Sequence, residues 1–585
     1  MKTLYAREYG VVPDTLSDST QAFERMLAEN VRDTRFILEK GRYDFFGEHA
    51  KSMAYSLSNT DIFGPKRCAV LFRDMHNIDF VGNGAEFVFH GQVQPFTIDR
   101  SSNISLRNVV IDWDIPLTAE GSIIERTDSY IDIRIDQEQF PCKVKDGAFF
   151  FVGEDWESPV YGYMEFDKHT RKVAYLTGDN APQTTCEEMA PGHIRFHGNF
   201  RVGGEIGNWV VLRHNKRTHA GVFAVDSSEI CLEGIVIHCT GGLGILAQFC
   251  ENLSFRRVQF IPNEKRGRRI ISGHDDGIHL SNNKGSVLVE ECCFHGLMDD
   301  PINIHGTSVR VIEKKGNRKL LCRFMSESSI GFPHWARGGD EISFIDNNTM
   351  ASIAKGIAAH YELISNEQFV ISFESDIPEL IDLGDALENL TQSASLICRN
   401  NHFGSCRARG LLVSTPKPVR IENNVFESSG SAILIAGDAN HWYESGACND
   451  VVIRNNTFSD CCLTSLYQFC EGIISIYPEI PEPKLSMPFH RNIHISHNTF
   501  LPFDYPVLYA KSVENLSFSN NRIIRSHSFM PWHLRKHMLT FEYCNKVKVE
   551  GNLLVGNVLG ADAALFGMDK EAIDIDAEQG IMLVI

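Results

Sequence analysis

The chain has 585 residues, 43% of them hydrophobic and 22% charged, and a net charge of −19. At roughly 150 residues per domain there is room for several domains or one long repeat array. The negative surface disfavours polyanionic partners such as nucleic acid or a sulfated glycan and fits a neutral one. No stretch approaches 18 uninterrupted apolar residues, so no membrane partner is expected, and the N-terminus MKTLYAREYG has neither an apolar core nor a cleavage site. The expected location is cytoplasmic, or secreted or periplasmic if a signal peptide was removed. Sixteen cysteines are scattered through strand-like segments with no C-x-x-C pair. They read as small buried residues, with Cys292-Cys293 and Cys461-Cys462 each pointing to opposite faces of a strand.

Residues 8–30, EYGVVPDTLSDSTQAFERMLAEN, read as a loop and then a helix that starts at Ser17 or Asp18 and carries Phe23, Met26 and Leu27 on one side. Such a helix can close the end of a solenoid. The Gly10-x-x-Pro13-Asp14 turn with the helix and a strand near Arg35–Leu38 resembles the N-terminal cap of the pectate-lyase-like β-helix superfamily.

A nine-residue pattern then recurs: NISLRNVVI from Asn103, EICLEGIVI from Glu229, NLSFRRVQF from Asn252, SVLVEECCF from Ser286, SLICRNNHF from Ser395 and PVRIENNVF from Pro418. It returns as DVVIRNNTF, NIHISHNTF, NLSFSNNRI and KVKVEGNLL from Asp450, Asn492, Asn515 and Lys546, and the shortest intervals are 23 residues. That period is too short for ankyrin or tetratricopeptide units, and the alternating β-branched positions favour strands. The last six copies carry asparagine at position seven (Asn401, Asn424, Asn456, Asn498, Asn521 and Asn552). Stacked amides hydrogen-bond along a solenoid axis, and asparagine tolerates the left-handed backbone of a sharp turn. The expected fold is all-β, a right-handed parallel β-helix with an N-terminal capping helix and two β-rich inserted modules. The boundaries read as 1–114 for the cap and first coils, 115–208 for one insertion, 209–307 for further coils, 308–391 for a second insertion with a hairpin at Lys315-Gly316-Asn317, and 392–585 for the C-terminal coils.

The stretch from His274 to Thr307 carries two acidic doublets, with Asp276 and Asp300 24 residues apart, each followed by a short alternating strand. On adjacent coils they lie about one strand spacing apart, ~4.8 Å. Four carboxylates would then share one outer surface, with Ile278, Leu280, Ile302 and Ile304 inward and His279, Asn303 and His305 outward. Aligning the coils puts Leu243, Asp276, Asp300 and Arg409 in one column. Aspartates also cap turns, but stacked doublets repel, and that repulsion pushes at least one pKa upward, as proton transfer needs.

Cleavage of a glycosidic bond needs one carboxylate to attack or activate water and one carboxyl to protonate the leaving oxygen. Asp276 and Asp300 can hold the water. The acid must come from elsewhere, and the loop GDANHWYESG, Gly437–Gly446, offers Asp438 and Glu444 beside His441, Trp442 and Tyr443. An indole beside a carboxyl suits a sugar ring; a buried Trp with solvated acids is the plainer alternative. Arg409 can bind a hydroxyl, balance the carboxylates or form an ordinary salt bridge. H-E-x-x-H, G-x-x-x-x-G-K-[ST] and G-x-S-x-G are all missing.

The segments DDPINIHGT (299–307), RGLLVSTPKPVRIENNVF (409–426) and GDANHWYESG together resemble glycoside hydrolase family 110, the inverting exo-α-1,3-galactosidases that remove terminal galactose, including that of blood group B structures. The likeness runs in order through most of the chain, strongest from 270 to 460. It implies a galactose-terminated glycan as substrate, no metal or other cofactor, and catalytic aspartates at Asp276, Asp299 and Asp300, with Glu444 left as the acid suggested by local chemistry. Other readings on this fold are a polygalacturonase-like hydrolase or lyase acting on uronates, and a glycan-binding β-helix without catalysis.

Overall fold

The computed structural model describes residues 1–60, 64–178, 185–198, 203–214, 216–267 and 270–584. Each nine-residue pattern folds as a strand, a corner and a short second strand; the copy from Pro418 gives Val419–Glu422 and Val425–Phe426. Successive copies pair in parallel, with Leu396 beside Val419, then Val451, then Ile493. Positions two, four, seven and nine turn inward: Val419, Ile421, Asn424 and Phe426 are buried, while Val425 is exposed. The inward ninth residues stack coil on coil, Phe294 on Phe403 at 5.2 Å, Phe403 on Phe426 at 4.4 Å and Phe426 on Phe458 at 5.2 Å between ring centroids. This is a parallel β-helix with one continuous apolar interior.

The asparagine ladder runs through the corners. Asn401 donates its amide to Asn424 Oδ1 at 3.0 Å, Asn424 to Asn456 at 3.0 Å and Asn456 to Asn498 at 3.0 Å. The left-handed backbone lies one residue earlier than expected. Asn400, Asn423, Asn455, His497 and Asn520 have φ between 53° and 58°, as does Gly551 at 62°. Position six therefore takes the conformational strain of the corner and position seven takes its hydrogen bonds.

A second parallel sheet of the helix contains Ile245–Gln248, Ile278–Ser281, Ile302–Thr307, Leu411–Ser414 and Ile433–Ile435. Ile245, Ile278, Ile302, Leu411 and Ile433 stand side by side across it. That register fixes what precedes each strand. At the N-terminus the helix Thr20–Ala28 begins where Asp18 Oδ1 accepts from the Thr20 N–H at 2.9 Å, and it lays Phe23 on Phe45 and Phe87 of the first coils.

The first insertion is an eight-stranded antiparallel sheet that opens with Thr118–Arg126. Trp209–His214, expected to return to the helix, pairs antiparallel with Thr118–Arg126 and belongs to this module. The second insertion is a closed six-stranded barrel from Val309–Lys314 to Ala386–Asn389, with its first hairpin at Lys315. Each module is tied to the acidic stretch. Glu120 accepts the backbone N–H groups of Ile270 and Ile271 at 3.2 and 3.0 Å, and the Trp335 indole donates to the Thr307 carbonyl at 3.0 Å.

The cysteines are free thiols, most of them buried. Cys461 and Cys462 sit in a turn rather than a strand, so the expected alternation of faces does not apply to them. Among the described residues no helix is long and apolar enough to cross a membrane.

Candidate active site

The register of the second sheet places the two acidic doublets on neighbouring coils: Gly277 N–H donates to the Asp300 carbonyl at 3.0 Å and Ile278 N–H to the Pro301 carbonyl at 2.8 Å. Contrary to expectation they do not lie on an open surface. Asp276 is 4% exposed and Asp300 2%, because the two inserted modules and the 437–446 loop raise walls around them. The result is a cavity of about 950 Å³ with the aspartates among its lining, walled by Tyr161 of the first module and Ser326 and Glu327 of the second.

Burial makes uncompensated charge costly, and most of these carboxylates have a guanidinium. Asp300 is held bidentately by Arg409, Nε to Oδ1 at 2.9 Å and Nη2 to Oδ2 at 2.6 Å, with the Arg409 backbone N–H on Oδ1 at 2.9 Å. Asp299 meets Arg217 at 3.1 Å and Arg407 at 3.3 Å through Oδ2, and the Tyr467 hydroxyl donates to its Oδ1 at 3.3 Å. Asp275 pairs with Arg217 at 3.1 Å and His274 at 2.7 Å; burial opposes its charge, but these two hold its pKa far below the ordinary range.

Asp276 is different: its contact is to His279, Nδ1 to Oδ2 at 2.7 Å. His279 Nε2 lies 2.9 Å from His305 Nε2, and His305 Nδ1 lies 2.6 Å from the Gly306 carbonyl. A carbonyl only accepts, so His305 carries its proton on Nδ1. Burial lowers the pKa of both imidazoles, His279 to about 4, so each holds a single proton near neutrality. The proton between the rings is then that of His279 Nε2. His279 Nδ1 is left bare, and Asp276 must be the donor. The electrostatics agree: burial first, then the charge of Asp299, pushes the Asp276 pKa well above the usual carboxylate range. Burial raises Asp300 as well, to about 7, against the pull of Arg409. Of the stacked pair, Asp276 is the protonated carboxyl and Asp300, on its guanidinium, the carboxylate.

His279 and His305, expected to face outward toward a ligand, are instead buried beneath the cavity floor. Their ring nitrogens and the Glu444 carboxylate lie within 4.8 Å of one another, the spacing of potential metal ligands, but the two facing nitrogens are 2.9 Å apart, a hydrogen-bond length and short for two ligands of one ion. Glu444 lines the cavity, and Asn303 and Asn59 each donate to it at 3.3 Å. Burial raises its pKa, but the imidazoles and these amides bring it below the ordinary value. The imidazoles lower it only when charged; with both rings neutral, the two amides alone oppose burial. Asn303, by contrast, keeps a buried Oδ1 with no hydrogen-bond partner among the described residues, at the cavity wall.

In the 437–446 loop, Asp438 is a structural acid. Its carboxylate accepts the backbone N–H groups of His441 and Tyr443 at 2.9 and 2.8 Å and that of Trp442 as well, which folds the loop tightly. His441 stacks on Trp442 with centroids 4.7 Å apart and reaches Glu479 at 3.4 Å. Trp442, half exposed, lines the cavity mouth. The structure thus brings Asp276, Asp299, Asp300, Asn303, Arg409, Trp442 and Glu444 around one space, with His441 outside that lining.

Sequence reasoning missed Arg217, Arg407 and Tyr467. Arg407 stands two residues before Arg409, and an R-x-R alternation next to the column was a usable signal. Arg217 follows the first insertion and Tyr467 a loop of the C-terminal coils, and neither carries a local pattern.

Three regions match family models: residues 119–210 match "GLAA-B beta-barrel domain I", 319–387 "GLAA-B beta-barrel domain II" and 390–576 "Right handed beta helix region". Among curated relatives, "Alpha-1,3-galactosidase B" of Bacteroides thetaiotaomicron is 44% identical over 96% of this chain and 92% of that protein. "Alpha-1,3-galactosidase B" of Akkermansia muciniphila is 33% identical over 94% and 69%. "Alpha-1,3-galactosidase A" of Bacteroides fragilis is 33% identical over 95% and 92%.

Proposed function

Because this chain belongs to the family of α-1,3-galactosidases, we propose that the cavity floored by Asp276, Asp299 and Asp300 is where it hydrolyses terminal non-reducing α-1,3-linked galactose, with inversion. The enzyme is an exo-acting glycosidase and its substrate a galactose-terminated glycan. Of the basic residues that line the cavity, Arg217, Arg407 and Arg409 are each already paired with an aspartate.

The observation that carries the mechanism is the register that stacks Asp276 on Asp300 on neighbouring coils. A carboxyl and a carboxylate held side by side offer acceptor oxygens to one water. Asp276 and Asp300 would orient the attacking water, and Asp300, raised to about 7, is a stronger base than an ordinary aspartate. On the opposite side of the scissile bond a carboxyl must protonate the leaving oxygen. We place that role on Asp299, which takes up its proton when substrate fills the cavity: its two arginine contacts fall on one oxygen, at 3.1 and 3.3 Å, and among the described residues its other oxygen meets only the Tyr467 hydroxyl. Inverting enzymes leave roughly 6.5–9.5 Å between the two carboxyl groups so that water fits. The Asn303 Oδ1 offers an acceptor to a sugar hydroxyl, and Trp442 a flat apolar surface to a sugar face.

Proton NMR of the anomeric signals in the first minutes of reaction tests the stereochemistry. β-Galactose appears first, and no methyl galactoside forms in added methanol; early α-galactose or methyl α-galactoside would sink the inverting assignment. The roles separate by leaving group. Asp300→Asn and Asp299→Asn each lose at least ~10³ in kcat on a disaccharide. An aryl galactoside, whose leaving group needs no proton, restores much of the rate to Asp299→Asn and little to Asp300→Asn. Equal rescue of both variants would overturn the assignment of acid and base.

A further inference from the structure

Cys293 and His295 flank Phe294, whose ring is buried in the interior stack. Alternate residues of an extended segment share a face, so both side chains project outward. The next coil pairs in register, setting His402 directly beside Cys293. The Cys293 thiol and a ring nitrogen of each histidine lie within 4.8 Å of one another, and none of the three residues lines the galactoside cavity.

We propose that Cys293, His295 and His402 form a binding site for a thiophilic divalent cation, zinc above all, that fastens together the coils on either side of the second inserted barrel. The geometry is that of a tetrahedral edge. His295 Nε2 and His402 Nδ1 are 3.3 Å apart, and two Zn–N bonds of about 2.05 Å at the tetrahedral angle span about that distance. Two nitrogens and a sulfur suit zinc better than calcium or magnesium, which take oxygen. The second nitrogen of His402, Nε2, faces Glu427 Oε2 at 3.2 Å, and Glu427 is held by Lys172 at 3.1 Å. A carboxylate behind a ligating histidine fixes its tautomer and orientation, so Nδ1 is the nitrogen presented to the ion. The three residues are half-buried, which leaves a fourth position for water. Binding exchanges the Cys293 thiol proton for a Zn–S bond, releasing one proton per ion with no oxidant or reductant. Cys293 and His402 belong to coils adjacent in space but separated in sequence by the barrel from Val309 to Asn389. The ion therefore closes a long loop where the solenoid is interrupted.

The test uses the full chain stripped of metal and titrated with Zn²⁺ by calorimetry, and with Co²⁺ by absorption. The wild-type chain binds one equivalent, gives a sulfur-to-cobalt charge-transfer band and shows a thermal midpoint raised by zinc. Cys293→Ser and His402→Gln lose the charge-transfer band and the zinc-dependent midpoint shift; their turnover of galactoside, and their unchanged circular dichroism without metal, show that they fold. Retention of one tightly held equivalent by both variants places the ion elsewhere, for instance at His279, His305 and Glu444, and overturns the proposal. So does a wild-type chain that binds no zinc.

Discussion

Replacing Asn424 by leucine tests the ladder at a point where the structure says which groups are lost. The Asn424 side chain accepts from the Asn401 backbone N–H at 2.9 Å and its Nδ2 at 3.0 Å, and donates to the Cys398 carbonyl and Asn456 Oδ1, each at 3.0 Å. Leucine is close in volume and suits the apolar interior, so little cavity is made. Asn401 Nδ2 keeps the Val289 carbonyl at 3.1 Å, and Asn456 Oδ1 keeps the residue-424 backbone N–H at 2.9 Å. What loses its partner is the buried Asn401 N–H, together with one acceptor position of Cys398. At about 1–3 kcal/mol for an orphaned buried group and less for a carbonyl, the variant is destabilised by about 2–4 kcal/mol. A repeat array need not unfold in one step. The sharper assay is therefore hydrogen exchange at the Asn401 amide, supported by the denaturant midpoint. Faster exchange there and an earlier midpoint, with unchanged turnover where both proteins are folded, is the expected result. An Asn401 amide as protected as in the wild type would refute the ladder as a source of stability.

Two further outcomes concern the cavity. Since Asp300 acts as the base and burial raises it to about 7 against Arg409, kcat/KM rises with pH through about 7. Arg409→Met removes the lowering influence, so the acidic limb moves up by roughly 1–3 units and activity lost at pH 7 returns at higher pH; an unmoved limb would separate Arg409 from the titrating group. Trp442→Ala raises KM by about 5–30-fold with kcat nearly unchanged, the equivalent of ~1–2 kcal/mol of stacking; a KM within twofold of the wild type would exclude Trp442 from the sugar contact.

The local code of the chain determined the coil. Inward positions two, four, seven and nine are apolar or asparagine in copy after copy, and such a period is readable because each repeat meets only its neighbours and the same contact is written many times. The doublets were legible for the same reason, since Asp276 and Asp300 occupy one position of that period. What the sequence could not supply is whatever depends on chain that leaves the period. The two modules turn an outer face into a cavity and bury Asp276 and Asp300. Arg217 and Arg407 reach Asp299 from segments remote in sequence. His279 and His305 looked outward by alternation, yet the walls cover them, and burial then makes the rings neutral and leaves the proton on Asp276. Alternation states only which side of a strand a residue takes. Whether that side meets water, a guanidinium or another imidazole is decided by what packs over it, and with it the pKa and the chemistry.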